Sequence, residues 1–517
     1  FLILLRSSHC NEIHPRFEHA LQLIEPRMLS PSSTVGSTMS ITVSSTLIDN
    51  RDVVTVTVLN AGRRDAEQWV GAYSPANADI NEVVPVKYAF LSQDAAYLAT
   101  GRAELRFEMV NMRADVAFHV FDCPLSFPRC SANATSPTVS FRDPGAPLKA
   151  RVLPTATEGD FVLMWSSGRD QSFSPVARWG FKQGGPYPYS APASTQTIQR
   201  EHMCHAPATS YGFRDLGYIH EARMAALPAG SVVYYVFGDE QAQSEEHQLR
   251  TPPAAGPDMA FSFFAFGDLG RGSLDDSFTW HEYGRASVNT TRFLAREIAH
   301  GRASAVVHFG DISYAMGYAA VWDEFLDMLE PVASAVPYVL VSGNHEADAP
   351  NDTFPANRTP SYFTGYDSGG ECNVPTVRLL RTPRISEDQD WWSWDVGPVH
   401  LVGISTELDI RTDSPQWQWL QSDLASVDRA VTPWVILVGH RPMYISSNYT
   451  DGPRSDIAVA ALFVEHVEPL LLRHRVDLAF WGHNHAVQRF CAAARGQCRQ
   501  RAKLATDCPD PRPPAGT

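Results

Sequence analysis

Nowhere in the 517 residues is there an apolar run of 18, the length a helix needs to cross a bilayer. The sequence therefore carries no transmembrane helix, and no membrane partner is expected. Positive charge is also in short supply: 42 Lys and Arg stand against 57 Asp and Glu, a net charge of −15. That balance excludes a nucleic-acid binder working through a basic face. It does not exclude a phosphate-bearing substrate, because bound metal ions can supply positive potential locally. Cysteine is sparse, with eight residues and no CxxC spacing, which disfavours a zinc ribbon. Cys123 with Cys130, and Cys491 with Cys498, are close enough in sequence to close small disulfide loops; free thiols fit the sequence equally. An initiating Met is missing too. The chain begins Phe1-Leu2-Ile3-Leu4-Leu5, which reads equally as the end of a signal-peptide apolar region or as an arbitrary start.

What is present suffices for a large folded protein. At this length about two to four domains are expected, and 44% hydrophobic residues can bury a sizeable core. Residues 1–38 read as an irregular N-terminal segment. Short strand-like runs at Val53–Leu59, Glu104–Met109 and Val116–Phe121 place a β-sandwich at 39–145. Further runs, including Phe161–Trp165 and Ser231–Gly238, place a second at 146–252. The stretch Thr251-Pro252-Pro253-Ala254-Ala255-Gly256-Pro257 is a linker, 258–498 a third unit, and 499–517 a loose tail. Sequons at Asn133, Asn289, Asn351, Asn357 and Asn448 make glycosylation and a secreted, extracellular location the expectation.

The third unit carries five short motifs in order: GDLG (Gly267 to Gly270), GDISY (Gly310 to Tyr314), GNHE (Gly343 to Glu346), GHRP (Gly439 to Pro442) and GHNH (Gly482 to His485). Each follows a short apolar run: Met259–Phe266, Ala305–Phe309, Tyr338–Ser342, Trp434–Val438 and Asp477–Trp481. Such runs read as strands buried on both faces. Helical spacing at Thr291–His300, Trp322–Val332, Trp417–Val427 and Ile457–His474 alternates with them and predicts a largely parallel sheet. Sites in such sheets lie beyond the carboxyl ends of the strands. Asp268, Asp311, Tyr314, Asn344, His440, His483 and His485 would all gather there. Carboxylate, amide and imidazole donors suit a divalent first-row metal such as Zn, Mn or Fe. A carboxylate can bridge two cations ~3.5–4 Å apart, and such a pair acidifies water into a nucleophile. The phenol of Tyr314, with an ordinary pKa of about 10, becomes a ligand at neutral pH only beside a strongly charged cation, which points to Fe(III).

With these residues in place the sequence resembles the purple acid phosphatases. The resemblance rests on Asp268-x-Gly270, Gly310-Asp311-x-x-Tyr314, Gly343-Asn344-His345-Glu346, His440 and Gly482-His483-x-His485. It extends from about Gln68 to Cys498 through runs such as WVGAYSPA, FRDLGYIH, DSGGEC and GHRPMY, which look like the large plant-type branch. It implies Fe(III) held by Asp268, Tyr314 and His485, and a divalent ion (Zn, Mn or Fe) held by Asn344, His440 and His483. Asp311 would be the bridge, and His345 would contact the substrate phosphate with Asn344 and His440. It also implies a fold: an α/β calcineurin-like metallophosphoesterase unit, a β-sandwich flanked by helices, preceded by two all-β fibronectin/Ig-like sandwiches. The second of these, 146–252, is expected to be the family's fibronectin III-like domain. The activity implied is phosphate ester hydrolysis, with a small phosphate ester or a nucleotide as substrate.

Two departures from the family pattern stand out. Smaller plant members carry a histidine pair shortly after the residue matching His440; here the stretch reads Ile445-Ser446-Ser447-Asn448-Tyr449-Thr450. After His485 the usual Tyr-Glu-Arg is Val487-Gln488-Arg489. The family also normally continues with another strand beyond Cys498. An acid phosphatase is the leading expectation, with a nucleotide pyrophosphatase/phosphodiesterase or a degenerate binding protein as alternatives. Trp391, Trp392 and Trp394 are expected in the core rather than as a stacking platform, Trp417 and Trp419 as core and cover, and His400 as a satisfied core histidine.

Overall fold

The computed structural model describes residues 39–59, 64–125, 131–273, 275–280, 284, 286–350, 360–383, 389–446 and 455–498. The N-terminal segment, the tail from 499, Cys130, Ser447–Thr450 and the sequons at Asn351, Asn357 and Asn448 lie outside them. Asn133 and Asn289 are both exposed.

Each of the two N-terminal β-units is a pair of sheets. In the first, Ser40–Val43, Val53–Leu59 and Arg102–Glu108 face a four-stranded sheet ordered Lys87–Phe90, Trp69–Tyr73, Ala117–Phe121, Ala134–Thr135. The alternation in Val53–Leu59 turns Val54, Val56 and Val58 fully inward, onto Val70, Phe107 and Phe118. The second unit pairs two four-stranded sheets around Trp165, Trp179 and Phe237.

In the third unit the strands form two sheets, as the β-sandwich implied by the family resemblance has it, where the apolar runs alone suggested one largely parallel sheet. Phe263–Phe266, Ala305–Phe309 and Tyr338–Val341 pair in parallel. A second sheet runs Trp392–Val396, Val399–Gly403, Trp434–Val438, Leu478–Phe480, its first pair antiparallel and the others parallel. The sheets pack through Val307, Val339, Trp392, Val396, Leu401 and Ile436, which is why their strands are apolar on both faces. Trp391, Trp392 and Trp394 are buried, while Trp417 and Trp419 are half-buried against the neighbouring core. Three of the four expected helices appear, as Ser287–Ala299, Ala320–Ala333 and Pro415–Ser426. The fourth is two helices, Asp456–His466 and Glu468–Arg473. Pro469 has no N–H to donate and suits the first turn of a new helix, so the run breaks there. The first strand of the unit also starts later than the apolar run suggests, at Phe263.

The helix Ala320–Ala333 fastens the β-units to the third unit. Its Asp323, Glu324 and Asp327 are buried yet face cations from elsewhere. Arg113 Nη1 donates to Asp323 Oδ1 at 2.8 Å, Lys149 Nζ lies 3.0 Å from the same oxygen, Arg51 Nε donates to Asp327 at 2.6 Å and Arg271 Nη2 donates to Glu324 at 2.7 Å. Removing one member of such a buried set leaves an uncompensated charge, at about 3–5 kcal/mol. The linker is tied down as well: Gly256 N donates to Gly397 O at 2.8 Å and Ala255 N to Glu158 Oε1 at 3.0 Å.

Candidate metal centre

Each strand of the third unit that precedes a motif stops one or two residues before its glycine, and the chain then turns so that the next side chains point to a common centre. Four of the seven candidate ligands adopt left-handed backbone to do so: Asp268 at φ 57°, Asp311 at 49°, Tyr314 at 52° and His483 at 69°. A non-glycine residue there costs on the order of 1–3 kcal/mol, a strain that collects at functional sites. The loops are laced together by backbone bonds. Asp268 N donates to Gly310 O at 2.9 Å, and Gly482 N to His440 O at 2.8 Å. The glycines that open the motifs are required by close approach, two of them most tightly. A Cβ on Gly310 would lie 2.3 Å from His440 Nδ1, and one on Gly343 would lie 2.3 Å from Asp311 Oδ1.

All seven candidate ligands come together. Tyr314 Oη sits 2.8 Å from His485 Nε2, 3.1 Å from Asp311 Oδ2 and 3.3 Å from Asp268 Oδ1. His485 Nε2 is 3.2 Å from Asp268 Oδ1. On the other side, Asn344 Oδ1 lies 3.0 Å from His440 Nε2 and 2.9 Å from His483 Nδ1. His440 Nε2 is 3.2 Å from Asp311 Oδ1, and its Nδ1 donates to Phe309 O at 3.0 Å, which leaves Nε2 as the donor atom for a cation. Two sets of potential metal-ligand atoms result, Asp311/His440/His483 and Asp268/Asp311/His485. Within each set the atoms lie within 4.8 Å of one another, and the two sets share Asp311. The donor chemistry therefore fits a pair of cations with one bridging carboxylate.

The electrostatics agree. Burial alone would raise the Asp311 carboxyl, but the imidazoles of His440, His345 and His483 hold it far below the usual carboxylate range. Burial alone would lower His440, but Asp311 and Asp268 push it up to about 10. The carboxylates that hold this proton can hold a cation instead, so metal uptake would release protons.

His345 stands beside the two sets. Its backbone N donates to Asp311 Oδ1 at 3.1 Å, its ring packs on Tyr314 at a centroid distance of 4.6 Å, and its Nε2 lies 3.9 Å from Asp311 Oδ2. Glu346 is a clasp: its carboxylate accepts from Ile312 N at 2.8 Å and from Gly343 N at 3.0 Å, and burial with the Asp311 charge pushes it up to about 8. Behind His440, Arg441 Nε donates to Glu407 at 2.9 Å, fixing the GHRP loop from beneath. His400 is a satisfied histidine between Asp395 at 2.6 Å and Asp423 at 3.0 Å.

Sequence reasoning missed three features. Asp367 Oδ2 accepts from Asn344 Nδ2 at 3.2 Å, and Asp456 Oδ1 lies 3.5 Å from His483 Nε2; neither belongs to a ligand motif, although Asp367 opens the DSGGEC run. The third is a disulfide, Cys204–Cys372, which spans 168 residues and so leaves no spacing signal. Cys491–Cys498 is bonded as one reading of the spacing expected. Cys123 is also disulfide-bonded.

Comparison with known proteins bears on the same features. A calcineurin-like phosphoesterase family model matches residues 261–487, and one for the Fn3-like domain from purple acid phosphatase matches residues 38–143. The Fn3-like match thus falls on the first β-unit. Two Arabidopsis thaliana proteins, named probable inactive purple acid phosphatase 1 and 27, are each 34% identical. They cover 84% and 86% of this chain, and the matches span 72% and 74% of their own lengths. A Hordeum vulgare protein named nucleotide pyrophosphatase/phosphodiesterase is 33% identical over 49% of this chain and 67% of its own. The solved structure of a purple acid phosphatase from yellow lupin (Lupinus luteus) seeds matches with a TM-score of 0.81 at 30% identity, over 89% of this chain and 82% of that one.

Proposed function

This chain belongs to the purple acid phosphatase family, and from that premise we propose that it is an active, secreted hydrolase of small phosphate esters that works through a dinuclear Fe(III)–M(II) centre, M being Zn, Mn or Fe. The observation that carries this reading is the pair of ligand sets meeting at Asp311. Asp268, Tyr314 and His485 would hold the ferric ion, and Asn344, His440 and His483 the divalent one. When bound, such a pair supplies positive charge for the phosphate and lowers the pKa of water at the site toward ~7. The chain's own residues would do the rest. Asp311 holds the two ligand sets in register. His345, half-exposed with its Nε2 toward the centre, meets the phosphate and stabilises the charge that develops on it. Glu346 keeps the Asp311 and Asn344 loops together. We assign 39–145 and 146–252 as the β-sandwich domains, 258–498 as the catalytic domain, and Asn133 and Asn289 as glycan acceptors.

Hydrolysis of a nucleotide diphosphate bond is the second reading. Ile445-Ser446 stand where a family histidine pair would begin, and the barley relative bears a nucleotide pyrophosphatase/phosphodiesterase name. A leaving group that needs little protonation suits a site with fewer acids. Loss of activity, which the names of the Arabidopsis relatives suggest for those proteins, is countered here by the presence of all seven candidate ligand residues. The test is metal analysis with an optical spectrum and an assay on a monoester and a nucleotide. One iron and one divalent ion per chain, a visible band and turnover are expected. A colourless, iron-free protein that turns over would overturn the ferric assignment, and a protein that binds no metal and hydrolyses neither substrate would overturn the function.

A further inference from the structure

We propose that Asp367 is a positioning residue of the candidate centre, and that the second β-unit holds it in place; the inference rests on the dinuclear reading above. An amide can ligate a cation only through its oxygen, and the two ends of the Asn344 side chain are nearly the same shape. Some contact must therefore decide which end faces His440 and His483. The Asp367 carboxylate does so. It accepts only, and it lies 3.2 Å from Asn344 Nδ2, so the NH₂ group turns away from the centre. Oδ1 is then left facing His440 Nε2 at 3.0 Å and His483 Nδ1 at 2.9 Å. The backbone carbonyl of the same residue receives His345 Nδ1 at 3.2 Å. A carbonyl cannot donate, so Nδ1 carries a proton, and Nε2 is the nitrogen presented toward Asp311. One residue thus sets a metal ligand through its side chain and the substrate-facing histidine through its main chain.

The run that carries Asp367 is held from outside the catalytic unit. Cys372 is bonded to Cys204 of the second β-unit. Cys204 N donates to Gly370 O at 2.8 Å and Ala208 N to Gly369 O at 3.1 Å. Both glycines are in the left-handed region, and a Cβ on Gly370 would lie 2.1 Å from His205 O and one on Gly369 1.9 Å from Met316 O. Three backbone segments therefore touch where side chains would keep them apart. Glu371, buried, accepts from Trp322 Nε1 at 3.0 Å and from Gly317 N at 3.1 Å, and Ser368 Oγ donates to Asp348 O at 2.6 Å. The second β-unit is in this way a structural part of the centre, although it supplies no ligand to it.

The two contacts can be separated by experiment. In Asp367→Ala the main-chain bond to His345 stays while the bond to Asn344 goes. Outer contacts to metal ligands are commonly worth about 10–100-fold in affinity. Chelator competition on the full chain should therefore show Zn or Mn bound ~10–100-fold more weakly, with the iron content and visible band retained. Asp367→Asn keeps an acceptor oxygen and should recover most of the affinity. Cys204→Ser, which loosens the whole run, should weaken divalent binding and also lower kcat through His345. Wild-type divalent affinity in Asp367→Ala would overturn the inference, as would equal loss of both metals. A wild type that takes up no metal pair would overturn the dinuclear reading itself, a result separate from any difference among the variants.

Discussion

Gly343→Ala is a clean perturbation of the centre, because it adds one methyl group without asking the backbone for anything. Gly343 sits at φ −109° and ψ −171°, extended backbone that any residue adopts. The whole effect is therefore steric. The new Cβ would lie 2.3 Å from Asp311 Oδ1, 2.6 Å from Asp311 N and 2.8 Å from His440 Cδ2, where real contacts stay above 3.0 Å. The proposed bridge must then retreat by about 0.7 Å, the difference between 3.0 and 2.3 Å. Catalytic groups need placement to within about 0.5 Å, and a 1 Å error costs on the order of 10²-fold in rate. A fall in kcat of about 10²-fold is expected, with weakened retention of both ions, since Asp311 belongs to both ligand sets. Overpacking costs ~1–3 kcal/mol in stability, which thermal unfolding would register without loss of the fold. Gly256→Ala is the control: its Cβ would meet only Met259 Cγ, at 3.3 Å, and rate and metal content should match wild type. Elemental analysis and steady-state kinetics on both variants decide the matter. A Gly343→Ala protein with two ions and full kcat would refute the placement of Asp311 between them.

Asp311→Asn should lose both metals by elemental analysis, since an amide cannot bridge two cations as a carboxylate does; full occupancy would sink the bridging role. Tyr314→Phe should abolish the visible absorption band of the holo protein, and a band that survives would remove Tyr314 from the iron. We further propose that His345 protonates the leaving group: His345→Ala should keep both metals and lose about 10²–10⁴-fold in kcat, more on an alkyl monoester than on a nucleotide diphosphate bond, and equal losses on the two would rule that role out. At His400, burial alone would lower the pKa, but Asp395 and Asp423 push it up to about 9. A raised histidine stabilises fully below its unfolded pKa of ~6.5 and loses that contribution as pH rises through about 9. His400→Gln should therefore melt below wild type at pH 6 and close to it at pH 10, and a gap that widens with pH would contradict the sign.

The cluster of candidate ligands was legible because its grammar is local. A buried strand shows as an apolar run, the glycine marks the tight approach, and the ligand follows within one to four residues. Gly310 illustrates why the sequence must read that way: the His440 ring occupies the space where a Cβ would stand. The division of the strands into two sheets could not be read from the apolar runs themselves, because strands buried on both faces look alike whether a helix or a second sheet covers them; the family resemblance alone implied the sandwich. What holds the motifs from behind was hidden for a different reason. Asp367, the Cys204–Cys372 bond and the charged seam along Ala320–Ala333 are contacts between residues far apart in sequence. The seam did leave a trace. Asp323, Asp327 and Glu330 recur at helical spacing inside a segment otherwise rich in apolar residues, a sign that the helix faces cations rather than water.

The departures from the family pattern fall at the edge of the centre. Gln488, where the family usually has Glu, ties two loops together: its Oε1 accepts from Ser446 N at 2.9 Å and its Nε2 donates to Asn484 Oδ1 at 2.9 Å. A glutamate would accept from Ser446 but could not donate to Asn484 Oδ1, so here the neutral amide fits both partners. Val487, in place of the usual Tyr, is 78% exposed and takes no part in the ligand sets. Under the proposed function, these changes remove a phenol from beside the HNH loop and leave the ligands as they are. They therefore bear on which ester is accepted and how its leaving group is protonated, and a site with fewer proton donors favours leaving groups that depart without one. Turnover of a nucleotide diphosphate bond ahead of an alkyl monoester follows from that. The reverse order would mean that a proton donor other than His345 serves the leaving group.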